Sequence, residues 1–321
     1  IDYCGETFPV FLGDETQDPT ILASEEEALA YPADLIVRPP VEYRVDFESD
    51  LLEAIRDIAG RRAASSLNVF KSYSSLIKTY RKSNLFKQDT MQVHLGTTLH
   101  DFQSFINFPL FQQLLTDKSP RYIHLDSANT GDRFGIASCT CITREVYDSM
   151  TETTIEKRFF VNDFSIGLEA GSADGMPSSI IAEFLKWLRN QGYPIALITG
   201  DKPAMNSIIP ELKLAKFNTE YLSVDTDRAP YISMRNKILA GEYLGTNNKV
   251  LIKELYNVRD DGEKIDHPAR FPDGSKGSKD IADAIAGSFY ACFKKMEPTQ
   301  MDKTSAFAAK MVAERKAHKR T

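Results

Sequence analysis

The sequence predicts an α/β protein in which one mixed β-sheet is flanked by helices and preceded by a helical and linker extension. Three strand patterns follow one another after Ser119-Pro120 through short connections, which favour an antiparallel meander. Beyond them, apolar strand patterns alternate with amphipathic helices, and this alternation is typical of parallel strands in a layered sheet. At roughly 100–200 residues per domain, 321 residues leave room for about two domains.

The first 117 residues form an extension of that sheet domain. An apolar run at residues 7–12 predicts a short strand, and apolar residues at helical spacing predict a helix over residues 46–58. A second helix is predicted roughly over residues 65–80. Four segments follow from these patterns: residues 1–45 as a linker or the trailing edge of another domain, 46–117 as a helical connector, 118–297 as the sheet domain and 298–321 as a basic helical tail.

The sheet domain has the clearest pattern. Its strands are predicted at residues 122–126, 135–142, 159–168, 194–199 and 218–224. Its helices are predicted at residues 177–192, 204–214, 231–240, 249–256 and 278–295. Pro177 suits the start of the first of these helices, and Gly192 suits its end.

Composition excludes several classes of protein. No run of ~18 apolar residues is present, so no membrane span is expected. The residues after Ile1 lack the charged and apolar regions of a secretory signal. Four cysteines form neither a disulfide framework nor a zinc site, which favours a reducing, intracellular setting. Because the chain begins with isoleucine rather than methionine, we expect a piece of a longer protein.

Charge is distributed unevenly along the chain. Residues 1–58 contain fifteen acidic and three basic side chains, although the net charge of the whole chain is only −6. Residues 60–88 carry basic side chains, no acidic one and interleaved aromatics, which suits DNA phosphates and exposed bases. An amphipathic helix with its aromatics in the core explains the same pattern. The candidate DNA contacts in this segment are Arg61, Arg62, Lys78, Arg81 and Lys82.

Four aspartates are candidate catalytic and metal-binding residues. Asp126 ends one predicted strand and Asp201 follows another, at the carboxyl edge where α/β sheets place their sites. A turn explains Asp126 as well, and a helix N-cap explains Asp201. Asp280 and Asp283 share one face in the first turn of the last predicted helix. Small residues around Asp283 indicate tight packing, and two close carboxylates repel each other unless a cation lies between them.

Together the four aspartates predict an all-oxygen site for Mg²⁺ or Mn²⁺, with two ions expected. Two such ions activate a water and stabilise the leaving oxygen of a phosphodiester. No nucleophile elbow, zinc ligand set or phosphate-binding P-loop is present, so no ATP site is expected in this chain. His267 and Lys279 are further candidates for contact with DNA, although a plain loop position explains His267 better.

Five sequence blocks carry a family resemblance. They are His124-Leu-Asp126-Ser-Ala, Gly200-Asp201, Asp225-Thr-Asp227, Ala229-Pro-Tyr231 and Gly277-Ser-Lys-Asp280-Ile-Ala-Asp283-Ala with Gly287 and Tyr290. These blocks resemble the C-terminal nuclease domain of the large terminase subunit of tailed bacteriophages. The resemblance covers about residues 118–295, and its last block is the most specific.

The resemblance implies a ribonuclease H-like nuclease that cuts concatemeric viral DNA during genome packaging, with little sequence preference. It implies an acidic site made of Asp126, Asp201 and the Asp280/Asp283 pair, with double-stranded DNA as the substrate. The portal protein, the small terminase subunit and an ATPase domain of the same full-length protein are the implied partners, and the host cytoplasm is the implied location. Residues 8–14 resemble the trailing edge of that ATPase domain, whose Walker motifs are missing from this chain.

Two other functions fit the same residues. A junction resolvase or transposase-like enzyme would use the same acidic site on a branched substrate. Alternatively, the domain is mainly a module that docks a portal or a small packaging subunit, and its nuclease stays latent without partners. A preference for branched DNA would identify the first function, and cutting that depends on a partner would identify the second.

Overall fold

A computed structural model describes residues 5–14, 17, 19–61, 68–127, 133–148, 153–170, 178–224, 226–260 and 264–296. Its strands are β1 (Val10–Phe11), β2 (Thr20–Ile21), β3 (Ile36–Val37), β4 (Thr90–Val93), β5 (Arg121–Ser127), β6 (Arg133–Asp148), β7 (Thr153–Ala170), β8 (Ile195–Gly200), β9 (Thr219–Tyr221), β10 (Tyr243–Leu244), β11 (Arg259–Asp260) and β12 (Ile265–Asp266). Its helices are α1 (Glu25–Ala28), α2 (Arg44–Ser49), α3 (Leu51–Asp57), α4 (Tyr73–Thr79), α5 (Leu99–Ser104), α6 (Phe108–Thr116), α7 (Ser178–Asn190), α8 (Lys202–Leu214), α9 (Ala229–Leu239), α10 (Lys249–Asn257) and α11 (Asp280–Met296). Arg62 and the tail predicted at residues 298–321 lie outside the described residues.

The central sheet has the strand order β10-β7-β6-β5-β8-β9, and β4 pairs with β7 as well. β6 runs antiparallel to both β5 and β7, whereas β8 is parallel to β5 and β9 is parallel to β8. If β5 to β9 are numbered 1 to 5 along the chain, the spatial order β7-β6-β5-β8-β9 becomes 3-2-1-4-5. This order is that of a ribonuclease H-like sheet. The predicted fold class, with an antiparallel meander, parallel strands and flanking helices, is confirmed.

Helices cover both faces of the sheet, because its strands turn alternate apolar side chains to either side. Ile123 and Leu125 of β5 belong to a core shared with α7 and α8. Tyr122 of β5 belongs to a second core, shared with α9, α10 and α11. Since alternate residues of a strand share a face, Asp126 lies on the side of Tyr122, toward α11.

The described residues between 5 and 58 form a small unit with an apolar cluster separate from the main sheet. β2 and β3 pair with β1 on either side, both antiparallel, and this sheet packs against α2 and α3. The prediction of one helix over residues 46–58 is wrong, because Asp50 divides it. Asp50 adopts an extended backbone (φ −142°, ψ 94°), and its side chain accepts a hydrogen bond from the backbone N–H of Glu53 (3.1 Å). Asp50 is therefore the N-cap of a second helix, although the apolar residues keep their helical spacing across it.

The segment predicted as a helical connector, residues 46–117, also contributes to the main sheet. Of its second predicted helix, the described part is helical only in α4, because Asn68 is extended chain that bridges to Arg259. β4, which the sequence prediction missed, pairs in parallel with residues 167–170 of β7. Apolar side chains from residues 85–114 join the core that faces α7 and α8. The second half of this segment therefore packs as part of the sheet domain.

The remaining predicted elements correspond to β5–β9 and α7–α11. β6 and β7 are longer than predicted, because their polar ends (residues 143–148 and 153–158) pair with each other beyond the core. β9 is shorter than predicted, and β10 was missed because it has only two residues. Among the described helices, none has the length and apolar character needed to cross a membrane.

Candidate active site

Asp126 lies at the carboxyl end of the central strand β5. Backbone pairing places it opposite Gly135 of β6, and the preceding residue, Leu125, is opposite Gly200 of β8. The Asp126 side chain is buried, with 6% of its surface exposed. Burying an ionised carboxyl costs free energy unless a hydrogen bond or an opposite charge compensates it. The groups around Asp126 therefore determine whether it is ionised and what it can bind.

Asp201 follows Gly200 directly and therefore leaves the sheet at the same edge as Asp126. Because β5 and β8 are parallel, their carboxyl ends lie side by side. Asp201 is half-buried, and α8 begins at the next residue. The structure thus brings together the two strand-end aspartates that the sequence singled out.

The amino end of α11 lies directly on the sheet, beside the end of β5. A side chain at Gly135 would meet the backbone oxygen of Asp280 at 2.1 Å, so a residue without a side chain permits this approach. Further along the helix, a side chain at Gly287 would meet the ring of His124 at 2.3 Å. These two close contacts set the first turn of α11, which carries Asp280 and Asp283, against the site.

Asp283 is buried and is held by two side chains. The hydroxyl of Tyr231 in α9 donates to its Oδ1 (2.6 Å), and Lys279 Nζ lies 2.5 Å from its Oδ2. Asp283 is 3% exposed and Lys279 is 8% exposed, so this ion pair is largely shielded from water. The sequence suggested Lys279 as a contact for DNA, whereas its ammonium lies among the carboxylates.

Asp280 is half-buried and meets a different set of donors. Its Oδ2 accepts a hydrogen bond from the backbone N–H of Arg133 (3.1 Å) and another from the hydroxyl of Ser278 (2.7 Å). The two neighbouring aspartates of α11 therefore have separate surroundings. Asp280 helps to tie the helix end to β6, and Asp283 is turned into the buried interior beside α9.

The carboxylates act strongly on one another. The pKa of Asp126 is raised well above its usual range, mainly by burial and next by the carboxylate of Asp283. The ammonium of Lys279 opposes this rise, while Asp201 and Asp280 add to it. All three other predicted aspartates are therefore close enough for their charges to affect Asp126.

Glu254 of α10 is a site residue that the sequence analysis missed. Its Oε2 accepts hydrogen bonds from the backbone N–H groups of Ile281 (2.9 Å) and Ala282 (3.0 Å), so it caps the amino end of α11. Its Oε1 accepts from the hydroxyl of Ser278 (3.0 Å). Burial, together with the charge of Asp280, raises the pKa of Glu254 to about 7. In the sequence, Glu254 stands in an ordinary amphipathic helix, and no spacing distinguishes it from a surface glutamate.

An open cleft of about 300 Å³ lies beside the amino end of α11. It is lined by Gln92, Arg133, Glu169, Ala170, Lys276, Gly277, Ser278 and Asp280. Arg133 Nε lies 2.8 Å from Glu169 Oε1, and one of its terminal nitrogens lies 3.2 Å from Glu254 Oε1. The cleft therefore places basic side chains next to the acidic edge.

Most aromatic side chains of the basic segment at residues 60–88 are buried in the protein core. Phe70, Tyr80 and Phe86 are buried in the two cores, so most of its aromatic side chains serve packing. The amphipathic alternative therefore explains the aromatic part of the pattern.

Lys82 does not fit the predicted set of DNA contacts. Its Nζ lies 3.0 Å from Oδ1 of the buried Asp163, which withdraws this charge into the protein. Arg61, Lys78 and Arg81 are exposed, as a DNA contact requires. His267 is half-buried, and its Nδ1 lies 3.0 Å from the backbone oxygen of Pro268, which is a local loop contact.

The chemistry of the acidic cluster suits a divalent cation. Carboxylate oxygens are the ligands that Mg²⁺ and Mn²⁺ prefer, and a cation, the ammonium of Lys279, already lies among them. Within the described ranges, however, no three His, Cys, Asp or Glu side chains are arranged to hold a metal ion as they stand. The donor set therefore fits a metal, and its side chains would have to close around one.

No family model matches the chain, and no curated protein does. The large terminase nuclease from thermophilic phage G20c with bound magnesium is 15% identical; the match covers 70% of this chain and 96% of that one, with a TM-score of 0.39. The large terminase nuclease domain from bacteriophage SPP1 with bound Mn is 12% identical, with 66% and 99% covered and a TM-score of 0.34. The HK97 bacteriophage large terminase is 10% identical, with 56% and 42% covered and a TM-score of 0.38.

These solved structures carry the name of the family that the sequence blocks resemble. The chain matches nearly the full length of the G20c and SPP1 nuclease structures, but less than half of the HK97 large terminase. The strand order and the side chains described above define the fold and the site of this chain.

Proposed function

We propose that this chain contains the nuclease domain of a large terminase subunit of a tailed bacteriophage, and that it cuts double-stranded DNA with Mg²⁺ or Mn²⁺. One observation carries the proposal: the ends of β5 and β8, with Asp126 and Asp201, meet the first turn of α11, with Asp280 and Asp283, at one edge of a ribonuclease H-like sheet. The family resemblance of the surrounding sequence blocks supports the same conclusion.

The four aspartates have distinct roles in this proposal. Asp126 ends the central strand β5, between the end of β8 that leads into Asp201 and the first turn of α11, so we assign it the shared position in the metal site. Asp201 and Asp283 complete that site. Asp280, which Arg133 and Ser278 engage, has the more peripheral place among the ligands.

When bound, the metal would lower the pKa of the attacking water and stabilise negative charge on the leaving oxygen. The chain's own residues prepare the site for this chemistry. Tyr231 fixes the carboxylate of Asp283 through its hydroxyl, and Glu254 fixes the first turn of α11 through two backbone N–H groups. Burial of Asp126 and Asp283 keeps bulk water away from both carboxylates.

DNA would be bound mainly through its phosphates. Lys276 in the cleft and the exposed Arg61, Lys78 and Arg81 are the proposed contacts, and His267 is a further one beside the cleft loop. Phosphate contacts carry no base information, so little sequence preference is expected. DNA affinity should fall steeply with added salt, and each contact removed should reduce the salt slope by about 1.

In the infected cell, this activity would cut concatemeric viral DNA during genome packaging. We propose the portal protein, the small terminase subunit and an ATPase domain of the full-length protein as its partners. The host cytoplasm is the proposed location. These assignments rest on the resemblance of the sequence blocks.

Nicking of supercoiled plasmid tests the proposal. The wild type is compared with Asp126→Asn in Mg²⁺, in Mn²⁺ and in EDTA, and Asp57→Asn, which changes an exposed acid at the end of α3, is the matched control. We expect cutting that requires metal and that falls at least about 1,000-fold in Asp126→Asn, equivalent to roughly 4 kcal/mol of transition-state stabilisation. Asp57→Asn should cut like the wild type.

Cutting that survives Asp126→Asn would contradict the proposed site. A strong preference for a four-way junction over linear duplex would favour the resolvase or transposase-like function. If the wild type binds Mn²⁺ but cuts only after the ATPase domain or small subunit is added, the nuclease is latent and partner-dependent.

A further inference from the structure

We propose that the basic segment at residues 298–321 docks on one face of a β-ribbon formed by residues 143–148 and 153–158. We call this ribbon, which is the part of β6 and β7 that extends beyond the core, the arm. β6 leaves the acidic edge at Arg133 and reaches the arm at its other end. The inference therefore concerns a separate surface and does not depend on the proposed function.

The arm is a two-stranded ribbon that no third strand supports among the described residues. Its ladder runs from the pair of residues 143 and 158 to the pair of residues 148 and 153. β5 pairs with β6 as far as Cys139, and β10 pairs with β7 from Phe160, so neither strand reaches the arm. Two strands alone are marginally stable in water. A segment that covers one face of the arm would therefore stabilise it.

One face of the arm carries two glutamates directly opposite each other. Glu145 pairs with Glu156 in the register of β6 and β7, and both side chains are exposed. Neither carboxylate has an ion-pair partner within the described ranges. Like charges opposite each other across two strands destabilise the ladder. Tyr147, two residues further along the same face, is 65% exposed. This face therefore offers two negative charges and an aromatic ring to a partner.

The chain leaves the described part of the structure at this same face. Phe160, which lies on the face of the two glutamates by strand alternation, packs on Phe293 of α11, with ring centroids 5.8 Å apart. α11 ends at Met296, whose backbone oxygen accepts a hydrogen bond from Arg158 at the base of the arm. α11 thus runs along β6 toward the arm, and the chain that follows it begins beside the glutamates.

The segment at residues 298–321 complements this face in charge and in apolar character. It has six lysine and arginine side chains against two acidic ones, a net charge of +4. Phe307 and Met311 are four residues apart, so the helix predicted here presents them together, with Lys310 beside them. Phenylalanine and methionine suit contact with the ring of Tyr147, and lysine suits the paired glutamates.

The segment is also long enough for this contact. The face of the arm from residue 143 to residue 147 spans about 13 Å, at roughly 3.3 Å per residue of strand. A segment of this length spans about 36 Å even when it is fully helical. It can therefore reach and cover the arm while α11 stays in place.

Photo-cross-linking in the full chain tests the proposal. p-Benzoylphenylalanine replaces Thr154, an exposed residue on the face of Glu156, and mass spectrometry identifies the peptide that it links to. A mixture of isotope-labelled and unlabelled chains separates contacts within one chain from contacts between two. The same probe is placed in Glu145→Gln/Glu156→Gln and in the matched control Glu183→Gln/Glu211→Gln, which removes two charges from α7 and α8 on the other face of the sheet.

We expect the probe to link to a peptide from residues 298–321 of the same chain, at a yield that does not depend on protein concentration. Tryptic cleavage within this segment reports how often it is undocked. Surface ion pairs are weak, so Glu145→Gln/Glu156→Gln should speed this cleavage by about fivefold, while Glu183→Gln/Glu211→Gln should leave it unchanged. Circular dichroism checks that both variants are folded.

Three results would overturn the inference, and each leaves the proposed function in place because the acidic site is not involved. In the first, no peptide from residues 298–321 is linked in the wild type. In the second, the probe links to another chain or to added duplex DNA, which would assign the arm to self-association or to DNA. In the third, the two double variants are cleaved at the same rate, so the paired glutamates do not hold the segment.

Discussion

The two ends of strand β5 bury charged side chains in opposite ways. At the amino end, the carboxylate of Asp163 is 2% exposed and is surrounded by donors. It accepts hydrogen bonds from Arg121 Nε (2.9 Å) and from the Tyr193 hydroxyl (3.0 Å), and Lys82 Nζ lies 3.0 Å away. Positive charge matches or exceeds negative charge at this end.

At the carboxyl end of the same strand, negative charge predominates. Burial and the carboxylates of Asp283, Asp201 and Asp280 raise the pKa of Asp126, and the ammonium of Lys279 lowers it. A charge taken out of water must be compensated, and the chain does this fully at one end and only partly at the other. We infer that the amino end stabilises the fold, whereas the carboxyl end is built to receive a cation from outside.

The largest effect should come from the same substitution made at both ends. Asp163→Asn removes the buried carboxylate that pairs with Arg121 and leaves only the half-buried Asp117 (2.9 Å) to compensate its charge, so it should lower the free energy of unfolding by about 3 kcal/mol. Asp126→Asn removes a charge that its neighbours disfavour and should raise the free energy of unfolding by about 1–2 kcal/mol in metal-free protein. Urea unfolding in EDTA measures both. Equal destabilisation by the two variants would show that the buried charges are compensated to the same extent at both ends of β5.

The second effect is a pH dependence from Glu254. Its pKa is about 7 in the folded protein, against a usual value of about 4.5, so the folded state holds an extra proton between these values. The free energy of unfolding should therefore fall as pH rises from about 4.5 to about 7, by on the order of 3 kcal/mol from this carboxyl.

Glu254→Gln isolates this contribution. Glutamine can still accept the backbone N–H groups of α11 through its amide oxygen, but it does not titrate. Unfolding at pH 5 and pH 7.5 in EDTA should show a smaller fall in stability for the variant than for the wild type. If the free energy of unfolding differs between pH 5 and pH 7.5 by the same amount in the variant and in the wild type, another group causes the pH dependence.

A third comparison uses one tyrosine hydroxyl at each end of β5. Tyr231→Phe removes the hydroxyl that donates to Asp283 and should cost about 1.5–3 kcal/mol, as for hydrogen bonds to charged groups. Tyr193→Phe removes the same kind of bond from Asp163, where Arg121 and Lys82 remain, and it also removes the contact of the hydroxyl with the Ser138 hydroxyl (2.8 Å). It should cost only about 1 kcal/mol. The reverse order in chemical unfolding would show that the amino end depends on its hydroxyl more than on its cations.

The smallest effect should be stabilisation by added metal. Mg²⁺ at ten times its Kd should raise the free energy of unfolding of the wild type by about 1.4 kcal/mol. Asp126→Asn should gain much less, because its site has lost the central carboxylate. A thermal-unfolding titration gives both values. An equal gain in both proteins would place the bound Mg²⁺ elsewhere.

Strand ends and helix starts made much of the site predictable. Asp126 and Asp201 follow apolar strands, and the spacing of Asp280 and Asp283 puts them on one helix face, so their proximity follows from the fold class. Glu254 and the burial of Lys279 depend on how α10 and α11 pack, which no local pattern encodes. Asp50 and β4 were misjudged for a similar reason: one polar cap and four residues of strand are too short to alter a periodic signal.

The long strand β7 has one outer edge, and two distant parts of the chain cover it. β10 pairs with it at Phe160 and Val161, and β4 pairs with it from Gly167 to Ala170. A protein shortened to begin at residue 118 would lose β4 and expose a row of unpaired backbone groups, which invites association with other strands. The smallest fragment that remains soluble should therefore begin before β4, well upstream of the first strand of the ribonuclease H-like order.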